Sequence, residues 1–182
     1  ICVNDGSTDE SLKILKRFGK KIALLDYRIN RGKGFALSRG IKRAKGEIVV
    51  FFDADLVNLT HKHINQLIKP MLAKHFRVVL GYRQRDLYSF FLCFAFSPLA
   101  GERAYFRKDL LSSLKAMSKT RFGVEVFLNN LFKGKKIKKV ALKRLHALYK
   151  YEKGSFSKAV KEYLEEASEI VKEFARQEKL SL

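Results

Sequence analysis

The chain has 182 residues, 47% of them apolar and 31% charged, which is enough length for one well-buried domain with the composition of a globular protein. No apolar stretch reaches the roughly 18 to 20 residues that a membrane span needs; the longest, Leu87 to Ala100, is interrupted by Ser89, Ser97 and Pro98. Cys2 and Cys93 form neither a metal-ligand spacing nor a disulfide framework, and the formal net charge of +20 favours polyanionic partners.

In chain order, Ile1-Cys2-Val3 reads as the tail of a strand, so the chain is expected to begin inside a fold. In Asn4-Asp5-Gly6-Ser7-Thr8-Asp9-Glu10, Ser7 and Glu10 have capping-box spacing. A helix should follow, burying Leu12, Leu15 and Phe18 and ending at Gly19. Ile22 to Leu25 reads as a short strand closed by Asp26, and Gly34 to Ala44 as a helix stopped by Gly46. Ile48 to Phe52 is an unbroken apolar run, the mark of a strand buried on both faces. Strand, helix, strand, helix, strand with short connections argues a parallel, right-handed sheet.

Thr60 to Lys69 is a predicted helix, capped by Thr60 and ended or kinked by Pro70. Phe76 to Leu80 is a predicted buried strand stopped by Gly81. Tyr82 to Ala100 is aromatic-rich without a clean period. Lys108 to Met117 and Val124 to Phe132 read as helices, and Ile137 to Leu142 alternates like a strand. From Phe156 to Ala175 the apolar positions Val160, Tyr163, Leu164, Ala167, Ile170, Val171 and Phe174 follow helical spacing. Packing back onto the domain is the expected role of that stripe, with membrane-surface docking and dimerisation as alternatives. The lysines of Lys42 to Lys45 and Lys133 to Lys139 are expected on solvated helix faces or loops. Nothing matches an aromatic-laced nucleic-acid module.

The chemistry concentrates at strand ends. Asp53 and Asp55 close the Ile48 to Phe52 run, at the carboxyl edge where open α/β sheets place ligands. Paired carboxylates there suit Mg²⁺ or Mn²⁺ held against a substrate phosphate. Asp5 and the Asn30-Arg31-Gly32-Lys33-Gly34 turn fall at the same edge, each beside a helix N-terminus, so backbone amides and Lys33 are candidates to face a diphosphate. The glycine spacing is not that of a Walker A loop.

Val3-Asn4-Asp5-Gly6-Ser7-Thr8-Asp9, then Asn30-Arg31-Gly32-Lys33-Gly34, then Gly46-Glu47 through Asp53-Ala54-Asp55-Leu56, resemble the nucleotide-sugar-binding half of family 2 glycosyltransferases. Pro98-Leu99-Ala100-Gly101-Glu102-Arg103-Ala104 and Phe122-Gly123-Val124-Glu125 are similar to the acceptor half of the branch holding glucosyl-3-phosphoglycerate synthases and polyprenyl-phosphate glycosyltransferases. The resemblance implies an α/β GT-A (Rossmann-like) fold with a mostly parallel central sheet flanked by helices and a C-terminal amphipathic helix. It divides a single domain, 1–182, into a nucleotide-sugar half at 1–81, an acceptor half at 82–150 and a terminal helix at 155–179. It implies transfer of a hexose from a UDP-glucose or GDP-mannose type donor to a phosphorylated small molecule or polyprenyl phosphate, with Mg²⁺ or Mn²⁺.

By the same resemblance Asp5 and Ser7 would lie with the nucleotide, Lys33 near the diphosphate, Asp53 at the ribose or sugar, and Gly101 and Glu102 along the sugar pocket. Asp55, with Asp53 and His146, would hold the metal. Glu125 would be a base or sugar-orienting group; by its place alone it is an exposed residue opening a helix. Arg83, Arg85 and Arg103 either bind an acidic acceptor or are solvated.

Family members begin with a further strand and short loop that help hold the base, and its absence here implies an unpaired sheet edge. Ala147-Leu148-Tyr149 are apolar where the phosphoglycerate branch carries polar acceptor contacts. The expected location is cytoplasmic, with peripheral contact at the inner face of a membrane if the acceptor is a lipid. Two other readings compete. Asp53-Ala54-Asp55-Leu56-Val57 also fits a haloacid-dehalogenase-like phosphatase, which would need a later acidic pair after a buried strand. A degenerate, non-catalytic nucleotide-sugar-binding fragment with a basic surface is the second.

Overall fold

The computed structural model describes residues 1–73, 75–84, 100–147, 168–173 and 175–177. Strand β1 (Cys2–Asp5) pairs in parallel with β2 (Leu24–Tyr27), joined through helix α1 (Ser11–Arg17) and a 3-10 turn at Gly19–Lys21. Helix α2 (Lys33–Arg43) leads to β3 (Ile48–Phe51) and the short β4 (Leu56–Val57). Helix α3 (His61–Leu72) precedes β5 (Val78–Gln84), and β6 (Arg103–Phe106) leads directly into α4 (Arg107–Leu110). After α5 (Leu114–Met117) and α6 (Val124–Leu131) come β7 (Ile137–Lys143) and β8 (His146–Ala147).

A four-stranded sheet has the order β3-β6-β5-β7. β5 and β7 are parallel and β6 opposes both β3 and β5, so three of its four strands point the same way. Among the described residues β1–β2 forms a separate two-stranded ladder, and β4 pairs with β8.

Alternation along β3 and β5 builds two cores, one on each face of the sheet. Val49, Phe51, Val78 and Leu80 pack with Ile41 of α2, Met117 of α5 and Val124 and Leu128 of α6. Val79 and Ala104 face the other way, onto Leu67 and Met71 of α3, with Ile48, Val50 and Phe52 joining them. Each fully buried aliphatic side chain contributes about 1.5–3 kcal/mol. The β3 run is apolar throughout because both of its faces are covered.

Several boundaries differ from the sequence expectation. α1 begins at Ser11 without a Ser7–Glu10 box; Asp9 Oδ1 instead accepts the Ser11 amide at 3.0 Å. Phe18 is 49% exposed and Leu12 and Leu15 are only half-buried, so α1 buries none of the three expected side chains fully. The second strand starts at Leu24, two residues late, displaced by the 3-10 turn. α3 continues through Pro70 to Leu72 rather than ending before it. Gly81 does not stop β5: it lies within the strand, where an added Cβ would come within 2.5 Å of Leu142 Cδ1 on β7. The Lys108 to Met117 helix is broken by a 3-10 turn at Leu111–Ser113. Lys138 and Lys139 stand on β7, the outer strand, where charge discourages edge-to-edge pairing.

In the terminal segment, residues 168–173 and 175–177 are helical. Val171, assigned to the buried stripe, is 66% exposed, while Glu173 is 5% exposed. The rest of that stripe up to Ala167, together with Phe174, Arg85, Cys93, Leu148 and the Phe90 to Phe96 aromatics, lies outside the described residues.

Candidate active site

β3 delivers Asp53 to the carboxyl edge of the sheet, and the antiparallel register Phe51↔Arg103 brings Gly101 and Glu102 alongside it. Lys33, the first residue of α2, reaches the same point. Its Nζ lies 2.8 Å from Asp53 Oδ1 and 2.8 Å from Oε1 of Glu125, which sits in the first turn of α6. Burial works against the charge on Lys33, but the carboxylates of Glu125 and Asp53 outweigh it and hold the ammonium above the ordinary lysine range. Glu125 is buried, not the exposed helix-opening residue of the plain reading. One cation thus ties three elements, α2, the end of β3 and α6, at a single point.

Gly101 is required there by space. A Cβ at this position would stand 2.3 Å from Asp53 Oδ2. Glu102 next to it is fully buried, and among the described residues neither carboxylate oxygen has a hydrogen-bond partner; Arg83 Nε is 3.8 Å from Oε1. Burial pushes the Glu102 carboxyl up, with Arg83 opposing and Asp53 adding to the shift. The folded protein therefore holds this proton to higher pH than the unfolded chain, and stability falls as pH rises above the ordinary carboxyl value of 4.5. Glu102→Gln should match the parent in urea unfolding near pH 4 and exceed it by about 1–3 kcal/mol at pH 7. A parallel pH profile for the two proteins would refute this.

Asp5 turns out to serve the loop before α2. Its Oδ2 accepts the amides of Arg31 at 2.9 Å and Gly32 at 2.6 Å, so these two amides, expected to face a diphosphate, are already engaged. Asp5 Oδ1 is buried and has no hydrogen-bond partner among the described residues. Ser7 is exposed, and its amide donates to Asn4 Oδ1 at 3.3 Å. Arg31 stacks on Phe35, 4.9 Å from the ring centroid.

The β4–β8 ladder places His146 opposite Val57, two residues beyond Asp55. His63 anchors this corner: Thr60 N–H donates to its Nδ1 at 3.1 Å, which leaves Nε2–H to donate to the Lys143 carbonyl at 2.9 Å. Asp53 and Asp55, in the connection between β3 and β4, and His146 on β8 are of the oxygen and nitrogen donor types that suit Mg²⁺ or Mn²⁺. Among the described residues no three acidic, His or Cys side chains are drawn together into a ready-made cage.

Arg103 is neither solvated nor free for an acceptor. It is 1% exposed, and it donates to the Ala100 carbonyl at 2.6 Å, Tyr105 OH at 3.1 Å and Asn129 Oδ1 at 2.9 Å. Burial raises the Tyr105 hydroxyl, with Arg103 opposing. Arg103→Met should cost about 3–5 kcal/mol in denaturant unfolding, because it leaves these acceptors buried and unmatched. A loss below about 1 kcal/mol would return Arg103 to the list of ligand contacts.

The family model for glycosyl transferase family 2 matches residues 1–125. The chain belongs to that family. The haloacid-dehalogenase reading of Asp53 to Val57 is thereby set aside. This family 2 chain is 44% identical over 59 residues to poly-beta-1,6-N-acetyl-D-glucosamine synthase of Staphylococcus epidermidis, covering 31% of this chain and 14% of that protein. It is 27% identical over 155 residues to glucosyl-3-phosphoglycerate synthase of Petrotoga mobilis, covering 68% of this chain and 47% of that one. The chain therefore spans less than half the length of these curated relatives.

Among solved structures, glucosyl-3-phosphoglycerate synthase of Mycobacterium tuberculosis with Mg²⁺ and uridine diphosphate superposes with a TM-score of 0.62 at 24% identity, over 91% of this chain and 67% of that one. The same enzyme with Mn²⁺ and UDP-glucose gives 0.60 at 23% identity, over 81% and 59%. These likenesses establish the GT-A fold of this family 2 chain. No helix among its described residues is long and apolar enough to cross a membrane.

Proposed function

We propose that this chain carries the donor site of a transferase that moves a hexosyl group from a nucleoside-diphospho-sugar to a phosphorylated acceptor. The observation that carries the reading is Lys33, held between Asp53 and Glu125 at the carboxyl edge of β3. The family match and the neighbours crystallised with UDP-glucose or with phosphoglyceric acid support the class of donor and acceptor.

In this account Asp5 and Ser7 lie at the nucleotide end, Asp53, Gly101 and Glu102 line the sugar, and Lys33 meets the diphosphate. Asp55, Asp53 and His146 would hold a divalent ion, and its chemistry there would be to supply positive charge against the departing diphosphate. Lys33 contributes the same kind of stabilisation from the protein side. A diphosphate reaching Lys33 competes with Glu125 for the ammonium and so releases the Glu125 carboxylate toward the acceptor. The C1–O bond to the diphosphate breaks, with its electron pair leaving on the nucleoside diphosphate, as the acceptor oxygen bonds C1. A hydroxyl acceptor gives its proton to Glu125; a phosphate acceptor is already ionised and leaves Glu125 to orient the sugar.

The test is product formation, read by mass spectrometry, from UDP-glucose or GDP-mannose with Mn²⁺ and either 3-phosphoglycerate or a short polyprenyl phosphate presented on vesicles. A hexosylated product with one acceptor identifies the reaction. Metal-dependent donor binding without product from any pair would make the chain a binding module.

A further inference from the structure

The turn Thr120–Gly123, just before Glu125, is held in a conformation that its own residues do not favour. Arg121 has φ 48°, in the left-handed region that costs a non-glycine residue of order 1–3 kcal/mol and persists only where neighbours impose it. One neighbour is the start of α2. A Cβ on Gly32 would stand 2.8 Å from Arg121 Cα, so the turn lies directly on the backbone that presents Lys33. The other neighbour is the terminal helix. Glu169 Oε1 pairs with Arg121 Nε, and its Oε2 accepts the Phe122 amide at 2.9 Å. Below this pair, a Cβ on Gly123 would stand 2.4 Å from Glu173 Cβ, and Glu173 is itself fixed by Gln177 Nε2 at 2.6 Å.

From this geometry we infer that Glu169 is a positioning residue for the Lys33–Glu125 pair: it clamps the left-handed Arg121 turn against α2 and so sets where Glu125 enters the site. The inference rests on the proposed transferase reading for its catalytic consequence, and on the turn itself for its structural one. A carboxylate that takes both the guanidinium and the next backbone amide fixes that peptide's orientation as well as its position. Two residues later the chain enters α6, so any tilt of the turn is passed to Glu125. This gives the terminal helix a role beyond covering apolar surface, in keeping with a buried glutamate and an exposed valine on its faces.

Two readouts test it. Amide exchange at Phe122 and Gly123 requires no activity. Glu169→Ala should speed it at least about tenfold, whereas Glu169→Gln, which can still accept the Phe122 amide, should lie between the variant and the parent. In the transfer assay, Glu169→Ala should lower kcat about tenfold with donor KM within about twofold, because Lys33 and the donor end stay in place. Adding Arg121→Gly, which lets the turn adopt its φ unaided, should bring kcat back to within about threefold of the parent. Unchanged exchange in Glu169→Ala, or a kcat loss that Arg121→Gly does not restore, would overturn the inference. Faster exchange in a protein that shows no transfer at all would uphold the clamp and sink the transferase reading instead.

Discussion

Lys33→Met should abolish most donor turnover, lowering kcat/KM by about 10²–10³, the magnitude seen when a preorganised electrostatic partner of a developing anion is removed. The substitution also leaves Asp53 and Glu125 facing one another without the cation that now sits 2.8 Å from each. Their side chains are only 29% and 10% exposed, so water screens the repulsion poorly. Stability should fall by about 2 kcal/mol, below the full cost of orphaning a deeply buried pair because Lys33 keeps a quarter of its surface in solvent. Denaturant unfolding and steady-state kinetics read the two effects separately. Unchanged stability with activity within tenfold of the parent would mean that the triad organises nothing.

Gly101→Ala should have the second largest effect. The new methyl would need the space now filled by Asp53 Oδ2, 2.3 Å away, while the other oxygen of that carboxylate is held by Lys33. Asp53 can yield only by rotating off the lysine. The packing cost is about 1–3 kcal/mol, and the displaced carboxylate should cut turnover by about 10²-fold. Because the clash is with a side chain, Gly101→Ala combined with Asp53→Ala should regain the lost stability without regaining activity. An alanine at 101 that leaves both properties intact would show that the loop before β6 is looser than its geometry indicates.

The parts legible in the sequence are those governed by local pattern. The Ile48 to Phe51 strand declared itself because burial on both faces demands an unbroken apolar run, and the aspartates beyond it had to emerge at the sheet edge. Helix α2 was equally clear, with Phe35 and Ile41 on one face and glycines at its flanks. Gly81 misled because a glycine that stops a strand and one that admits a neighbouring leucine look alike without the partner strand.

Charged residues were harder, since their role depends on partners far along the chain. Arg103 was read as solvent- or acceptor-facing, yet it is buried and bound to Asn129, 26 residues away. Glu169 finds Arg121 across 48 residues, and no spacing rule connects them. The left-handed Arg121 had no signal at all, for neither glycine nor asparagine occupies that position. Asp5 stands at the carboxyl end of β1 as expected, but its hold on the Arg31 and Gly32 amides had no local signal, because the return of the Asn30 loop onto it is a tertiary event.

The proposed donor site would hold a sugar nucleotide and a divalent ion at Asp53 and Asp55, just beyond β3, beside Lys33. Titration calorimetry with UDP-glucose and with GDP-mannose, each with and without Mn²⁺, on the parent and on Asp55→Ala tests it most directly. One donor should bind with Mn²⁺, and its affinity should drop at least about tenfold, roughly 1.4 kcal/mol, when the metal is withheld or Asp55 is replaced. Binding of neither donor with Mn²⁺, or equal affinity in Asp55→Ala, would contradict it.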